Sequence, residues 1–166
     1  MLLVPDGVSQ DRARCTARVA ARDAVPQALL PEWRDLADAA AEPNAFGEGW
    51  FVEPALKYLR HNTTVRLVEV RNEAGLLAGI MPIALQSRYG RMPVRHVTNW
   101  THFQCFMGTP LVRSGFESSF WYAVLELLDS SRWAKGFVSV SGLLDKGQVH
   151  QGLIAAATRL QRPCDV

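Results

Sequence analysis

The chain has 166 residues, of which 48% are hydrophobic and 20% are charged, and its formal net charge at pH 7 is +2. This composition suffices to bury the core of one globular domain, and it excludes disorder over most of the chain. Because the net charge is small and the arginines are scattered, the sequence predicts neither a nucleic acid nor an anionic membrane as a partner.

The cysteines and the N-terminus indicate the compartment. Cys15, Cys105 and Cys164 lie far apart without a CxxC pair, which indicates neither a disulfide framework nor a zinc ribbon. The apolar stretch Met1–Val4 is too short for a signal peptide, and no later run reaches membrane-spanning length. We therefore expect a soluble, cytoplasmic protein without a bound metal and without a membrane span.

The first part of the chain changes character at Pro31. Residues 1–30 are rich in alanine and arginine with weak periodicity, which predicts a poorly ordered leader with one strand around Thr16–Ala21. Proline suits a first helical turn, and apolar residues at helical spacing follow it. A helix is therefore predicted from Pro31 to near Glu42, with a buried face formed by Trp33, Leu36, Ala37 and Ala40.

The next stretch, AEPNAFGEGWF, joins two predicted helices and holds three large aromatic residues where a plain linker would be small and polar. Asn44 and Phe46 either line an acceptor cleft, as loop residues on a rigid scaffold often do, or end the first helix and anchor the loop in the core. Pro54 cannot donate a backbone hydrogen bond, so the second helix is predicted to start close to Pro54 or to kink there. Its predicted face is Phe51, Ala55, Tyr58 and Leu59.

A β-hairpin follows the helices. Thr63–Arg71 is dense in β-branched residues, and the turn sequence Asn72–Gly75 joins it to a second apolar strand, Leu76–Leu85. The second strand is apolar on both faces, which predicts a central strand covered by helices on both sides. Within it, Gly79 and Pro82 mark a bulge or a close approach of another backbone or a ligand.

The second half alternates strands and helices. Extended pieces are predicted over Val94–Trp100 and Phe103–Val112, and Ser114–Glu117 reads as a capping box that opens a helix. That helix has a buried stripe of Phe116, Phe120, Val124, Leu127 and Leu128.

A strand over Gly136–Gly142 and a last helix complete the chain. Asp145 and Gln148 are predicted to cap that helix, whose buried face is Val149, Leu153, Ala156 and Leu160. The element order predicts one domain of the α+β (mixed α/β) class, with a hairpin-based sheet and helices on its faces.

Three segments carry a resemblance to a known family: WRDLADAAAEPNAFGEGWFVEPAL, RLVEVRNEAGLLAGIMPIAL and GTPLV. In order and spacing they resemble the N-terminal half of the acetyltransferase-like family typified by the cellulose-biosynthesis protein CelD. That family, also described as BioF2-like, belongs to the GNAT superfamily and is close to the FemAB aminoacyltransferases. The resemblance spans roughly Pro31–Leu128 and implies a GNAT-like central mixed sheet with helices on both faces. The resemblance also implies that residues 31–166 are a GNAT-like N-terminal domain, which is a half or truncated form of a two-lobed protein.

The family's chemistry is acyl transfer from acetyl-CoA or acyl-CoA to an amine, with no tightly bound cofactor. The resemblance implies that backbone groups of Gly79, Ile80, Met81 and Pro82 pair with the amides of the acyl donor; the alternative is that this stretch is a buried strand with an edge proline. It also implies a second GNAT-like lobe or another subunit as partner, and a small-molecule amine or polysaccharide-associated acceptor. The glycine-rich donor loop of the superfamily is not found; the nearest stretches are Arg88–Arg91 and Lys146–Val149.

The richest polar and aromatic cluster is Asn99–Cys105. His102 is either a general base that deprotonates the amine or a structural histidine among aromatic residues. Trp100 and Thr101 are assigned with Asn44 and Phe46 to substrate binding. A Cys105 nucleophile paired with His102 is a weaker hypothesis, because catalytic pairs are defined by spatial geometry.

Two further hypotheses concern a metal site and a phosphate-binding patch. His96, His102 and Cys105 match no zinc spacing. Arg88, Arg91 and Arg95 form a basic patch that either meets phosphates or is a solvated turn. The alternative to an acyltransferase is a non-catalytic GNAT-like module for binding a ligand or docking a partner.

Overall fold

The computed structural model describes residues 14–165, within which six strands form one mixed sheet and four α-helices pack against it. The predicted α+β class is therefore confirmed. The strands are β1 (Cys15–Arg22), β2 (Val65–Asn72), β3 (Leu77–Gln86), β4 (His96–Asn99), β5 (Leu111–Val112) and β6 (Phe137–Ser139). The helices are α1 (Leu30–Asp38), α2 (Gly49–Tyr58), α3 (Glu117–Ser130) and α4 (Gln148–Arg159).

The sheet has the order β1-β2-β3-β4-β6, and β5 pairs with β3 beside β4. Neighbouring strands are antiparallel except β4 and β6, which are parallel. The predicted hairpin is β2 and β3, and the side chain of Asn72 closes its turn by accepting from the Leu76 amide at 2.9 Å. The strand predicted near Thr16 is β1, which pairs with β2; residues 1–13 of the predicted leader lie outside the described chain.

Helices cover both faces of the sheet. On one face, side chains of α3 and α4 pack on β2 and β3, with a core that includes Val68, Val70, Met81, Phe120, Trp121, Val124 and Val149. On the other face, α1 and α2 pack on the same two strands, with a core that includes Trp33, Leu36, Val52, Leu56, Leu67, Leu77 and Ile80. Strand β3 is therefore buried from both sides, which is why its sequence shows no polar alternation.

The junction after α1 departs from the predicted boundaries. Helix α1 ends at Asp38, short of Glu42, because the chain beyond it pairs with the end of β5 and the residues after it: the Ala41 amide donates to Val112 O at 2.8 Å, and the Ser114 amide donates to Ala39 O at 3.0 Å. Helix α2 begins at Gly49, with Pro54 inside it, so the predicted start near Pro54 is wrong. Its buried side includes Val52 and Leu56, whereas Tyr58 is exposed.

Two predictions for the second half are also corrected. The predicted strand Phe103–Val112 is limited to β5, because most of that stretch forms a loop. The predicted capping box at Ser114–Glu117 does not form: Phe116 is the N-cap residue of α3 without a side-chain cap, and Glu117 accepts instead from the Gly115 amide at 3.0 Å.

The N-terminus of α4 is capped from a distant part of the chain. Neither Asp145 nor Gln148 caps it; Glu42 Oε1 accepts from the Val149 amide at 2.9 Å. Glu42 is only 8% exposed, and its other oxygen has no hydrogen-bond partner among the described residues. A β-carbon at Gly147 would lie 2.3 Å from Glu42 Oε1, so a glycine is needed for this approach. The bond joins the junction after α1 to the last helix.

This cap predicts different effects for two substitutions of Glu42. Glu42→Ala removes the acceptor from a buried helix N-terminus, and we expect it to lower the free energy of unfolding by about 2 kcal/mol. Glu42→Gln keeps an acceptor oxygen in place and loses mainly the favourable charge at the helix end, which costs about 0.3 to 1 kcal/mol. Urea denaturation measures both values, and equal losses for the two variants would contradict the capping role.

Candidate functional site

Strand β3 changes its hydrogen-bonding partner at Pro82. On the edge away from β2, its N-terminal part pairs with β5 and its C-terminal part pairs with β4. The carbonyl of Pro82 accepts from the Trp100 amide at 2.8 Å, just beyond the end of β4. Because proline has no N–H group, the edge can divide at this position without leaving a Pro82 backbone donor unpaired.

A narrow cleft opens where the edge divides. The cleft is partly open to solvent, and its cavity volume of about 20 Å³ gives room for one water-sized group. It is lined by β3, by the junction between α1 and α2, and by the loop between β4 and β5: Asn44, Phe46, Gly47, Ile80, Met81, Pro82, Asn99, Trp100, Thr101, Cys105, Met107, Gly108, Thr109, Pro110 and Leu111.

The junction wall of the cleft depends on Asn44, whose side chain is 3% exposed. Its Nδ2 donates to Thr109 O at 2.7 Å, and its Oδ1 accepts from the Phe46 amide at 3.0 Å. The Trp33 indole donates to Gly47 O at 2.9 Å, which ties the same turn to α1. Asn44 therefore holds the junction against the loop that forms the opposite wall.

The loop wall depends on Asn99, which was not assigned to the site from the sequence. Asn99 is 3% exposed, and its Nδ2 donates to Gly108 O at 2.9 Å and to Ser141 O at 2.8 Å. Its Oδ1 accepts from the Ser141 amide at 3.0 Å. Gly108 also donates to Gly142 O at 2.8 Å, so the loop closes on the segment after β6. The only sequence signal was the position of Asn99 in a polar and aromatic cluster.

His102 lies next to the cleft, within a group of aromatic rings. Its ring stacks on Phe51 with a centroid distance of 5.4 Å, and Trp100 lies 5.5 Å away. Nδ1 accepts from the Gln104 amide at 3.3 Å, which assigns the proton of the neutral ring to Nε2. That Nε2 is buried without a partner among the described residues. Burial lowers the pKa of His102, so the ring is neutral at pH 7.

Exposed aromatic side chains surround the mouth of the cleft. Phe103 and Phe106 in the loop are 79% and 81% exposed, and Trp50 in α2 is 64% exposed. The Phe106 ring makes an edge contact with Phe46, with a centroid distance of 5.6 Å. The ends of the loop are thus held by buried hydrogen bonds, whereas two of its phenylalanines face solvent.

The structure brings most of the predicted site residues together. The residues assigned to substrate binding, Asn44, Phe46, Trp100 and Thr101, line one cleft with Ile80, Met81 and Pro82. Gly79 does not line it: a β-carbon there would lie 2.4 Å from the Phe120 ring, so this glycine admits α3 to the sheet.

The backbone positions assigned to an acyl donor already have partners within the chain. Gly79 and Ile80 are in register with Val112 and Leu111 of β5, and the Pro82 carbonyl is bonded. A donor could pair with this edge of β3 only after β5 is displaced. The assignment of these positions to a donor stays a prediction.

The surroundings of the Cys105 thiol, near the cleft, determine its protonation. Burial raises the pKa of the Cys105 thiol, and its Sγ donates to Met107 O at 3.0 Å, so it is a protonated donor at neutral pH. Within residues 14–165, no three or more His, Cys, Asp or Glu side chains are grouped so that they could hold a metal ion.

Comparison of the chain with family models, with curated proteins and with solved structures finds no match. In the described part of the chain, none of the helices has both the length and the apolar character needed to cross a membrane.

The hydrogen bonds of Asn99 predict a large cost for its removal. Asn99→Ala removes three part-buried hydrogen bonds, to the Gly108 and Ser141 carbonyls and from the Ser141 amide, and we expect the free energy of unfolding to fall by about 3 kcal/mol at about 1 kcal/mol each. Hydrogen exchange at the Ser141 amide should accelerate as well. The matched control is Asn72→Ala, which removes one exposed hydrogen bond and should cost less than about 1 kcal/mol. Similar losses for both variants would contradict the anchoring role of Asn99.

His102 predicts a dependence of stability on pH. Its pKa in the folded chain lies below its ordinary value, so the folded state binds fewer protons than the unfolded state. The contribution of the neutral ring to the free energy of unfolding is therefore fully present well above pH 6.5. It is lost as the pH falls through the pKa of the folded state. We expect the wild type to lose more stability than His102→Gln between pH 8 and pH 5 in urea titrations. Parallel losses would show that His102 does not titrate in this way.

Proposed function

We propose that this chain is an N-acyltransferase-like domain of the GNAT superfamily, which in its full-length form moves an acyl group from acyl-CoA to an amine acceptor. The observation that carries the proposal is the divided edge of β3. A strand buried between helices on both faces opens a cleft at Met81 and Pro82, the part of the chain where the family resemblance locates the acyl donor.

In acyl transfer the neutral amine attacks the thioester carbonyl, the C–N bond forms and the C–S bond breaks, and coenzyme A leaves as a thiolate that takes up, through water, the proton that the nitrogen loses. The protein contributes positioning of the two reactants and stabilisation of the charge that develops on the carbonyl oxygen. His102 has the group suited to the second task. Because Nδ1 accepts from Gln104, Nε2–H is a hydrogen-bond donor that finds no acceptor within residues 14–165. We assign it to the acyl oxygen, in preference to the general base suggested by the sequence.

The cleft must widen before a thioester can enter, since it now holds one water-sized group. The segment that can move is the exposed part of the loop, around Phe103 and Phe106. Its displacement would uncover the buried Nε2 of His102 while the anchors at Asn44 and Asn99 stay in place. Strand β5 then keeps its pairing with Gly79 and Ile80, and the acyl group lies beside Met81 and Pro82 without backbone pairing at Gly79 and Ile80. In this proposal the anchored ends of the loop keep the walls of the cleft in place, and its exposed middle opens the cleft.

The acceptor in this proposal is a small-molecule amine or a polysaccharide-associated amine. Its second binding wall would come from a second GNAT-like lobe or from another subunit, and no nucleic acid is involved. We propose a cytoplasmic location, which is supported by the free thiols of Cys15, Cys105 and Cys164.

A second candidate function is a non-catalytic module that binds a ligand or docks a partner. It is favoured by the close contact between the loop and the segment after β6, which leaves no room for a ligand between them. A β-carbon at Gly108 would lie 2.0 Å from Ser141 O, so the chain's own backbone fills this space. The sequence also lacks the glycine-rich loop that would bind the pyrophosphate of coenzyme A.

Thermal unfolding with acetyl-CoA, followed by an assay of coenzyme A release with a panel of amines, tests the proposal. We expect acetyl-CoA to raise the melting temperature in a saturable way, because a ligand specific for the folded state stabilises it. Thr101→Trp, at the exposed rim of the cleft, should abolish the shift, whereas Ser130→Trp at the end of α3 should retain it.

The assay of amine acylation separates the two functions. In His102→Phe, which keeps an aromatic ring but has no side-chain donor, we expect release of coenzyme A to fall about 100-fold with the acetyl-CoA shift retained, since loss of one donor to a developing oxyanion costs about 10²- to 10³-fold. A shift without acyl transfer to any amine would favour the binding module. No shift at any concentration would reject the acyl-donor site in this chain.

A further inference from the structure

Two arginines face each other across the outer pair of strands, away from the cleft. Arg22 at the end of β1 is in direct register with Arg66 near the start of β2. Directly opposed residues of an antiparallel pair lie on the same face, with β-carbons about 5 Å apart, so two like charges here oppose each other. Such a pair destabilises the sheet unless an anion lies between the charges.

Arg66 is held in a fixed orientation. Its guanidinium carbon lies 4.3 Å from the centroid of the Trp133 ring, a cation–π contact that fixes the plane of the group. Its Nε is buried and has no hydrogen-bond partner among residues 14–165. A buried N–H without an acceptor is costly, and a ligand that reaches it once the side chains covering it move aside would remove that cost.

The charges around this pair are mainly positive. In the described chain, no side-chain hydrogen bond or ion pair joins Arg22 or Arg66 to another residue. The neighbouring carboxylate, Asp23, already accepts from the Val65 amide at 2.8 Å and lies 3.7 Å from Arg60. Burial lowers the pKa of Arg66, Arg22 lowers that pKa further, and Asp23 raises it. Three guanidinium groups therefore share one carboxylate.

We propose that Arg22 and Arg66 form a binding site for a phosphate group. The site shares no residue with the cleft and does not depend on the proposed acyl transfer. Guanidinium forks match the oxygens of phosphate and bind them through paired hydrogen bonds. A doubly charged phosphate balances both arginines, whereas a carboxylate monoanion leaves one charge unbalanced, which is why the site selects phosphate. The phosphate belongs to a small molecule or to a lipid head group.

Thermal unfolding in inorganic phosphate, at constant ionic strength with chloride as the balancing anion, tests the site. We expect the melting temperature of the wild type to rise by about 2 °C or more and to saturate. Phosphate also stabilises proteins nonspecifically, by exclusion from the surface, but that effect does not saturate. Acetate at the same ionic strength should give no saturable shift.

Three variants distinguish the site from a general effect of charge. Arg22→Gln changes an exposed side chain, so it should fold normally, lose the saturable shift and be more stable than the wild type in chloride alone. Arg66→Lys keeps the charge but removes the buried Nε–H, and should weaken the phosphate effect at least tenfold. The matched control Arg34→Gln, at an exposed position of α1, should leave the shift unchanged.

The Arg66 Nε–Hε resonance in a nitrogen-15 spectrum gives a direct readout. We expect it to move with phosphate in the wild type and in Arg34→Gln, and to remain fixed in Arg22→Gln. A saturable shift that survives in Arg22→Gln, or a resonance that phosphate leaves unmoved in the wild type, would overturn the proposal.

Sedimentation with phosphatidylcholine vesicles that contain phosphatidic acid identifies the source of the phosphate. Binding that depends on Arg22 would assign it to a lipid, and absence of binding would assign it to a soluble phosphate ester.

Discussion

The division of the β3 edge at Pro82 is the constraint on which the rest of the site depends. A central strand must satisfy its backbone groups on both edges, and proline removes one donor from that requirement. The strand can therefore pair with β5 on one side of Pro82 and with β4 on the other. The chain between those two short strands must leave the sheet and return to it, and this excursion builds the loop wall of the cleft.

Two buried side-chain amides convert that excursion into a fixed structure. Asn44 binds the loop to the junction after α1, and Asn99 binds it to the segment after β6. Both are almost fully buried and bond mainly to backbone groups, which otherwise would lack partners in a loop without regular structure. The middle of the loop has no such anchor and exposes Phe103 and Phe106. Rigid ends and an exposed middle suit a loop that admits a ligand without disturbing the sheet.

Polar groups in this domain are placed where elements from different parts of the chain meet. Glu42 caps α4, and Glu69, only 2% exposed, accepts from Arg18 and Arg71 on the face covered by α1 and α2. Against this pattern of paired charges, the opposed arginines at the β1 edge are an exception. Their opposed like charges, without an ion pair among the described residues, are the basis of the phosphate site that we propose.

The sequence by itself determined the elements whose signals are local. The turn chemistry of Asn72–Gly75 and the apolar strand after it predicted the hairpin, and helical spacing predicted four helices, because these patterns act between near neighbours along the chain. It also pointed to Asn44, Phe46, Trp100 and Thr101, which the fold brings to one cleft. Tertiary structure alone decided the remaining contacts: Asn99 with Ser141, Glu42 with the amide of Val149, and Arg22 opposite Arg66. Each joins residues that are distant in sequence, so its energy depends on how the elements pack, and no local pattern of residues encodes that.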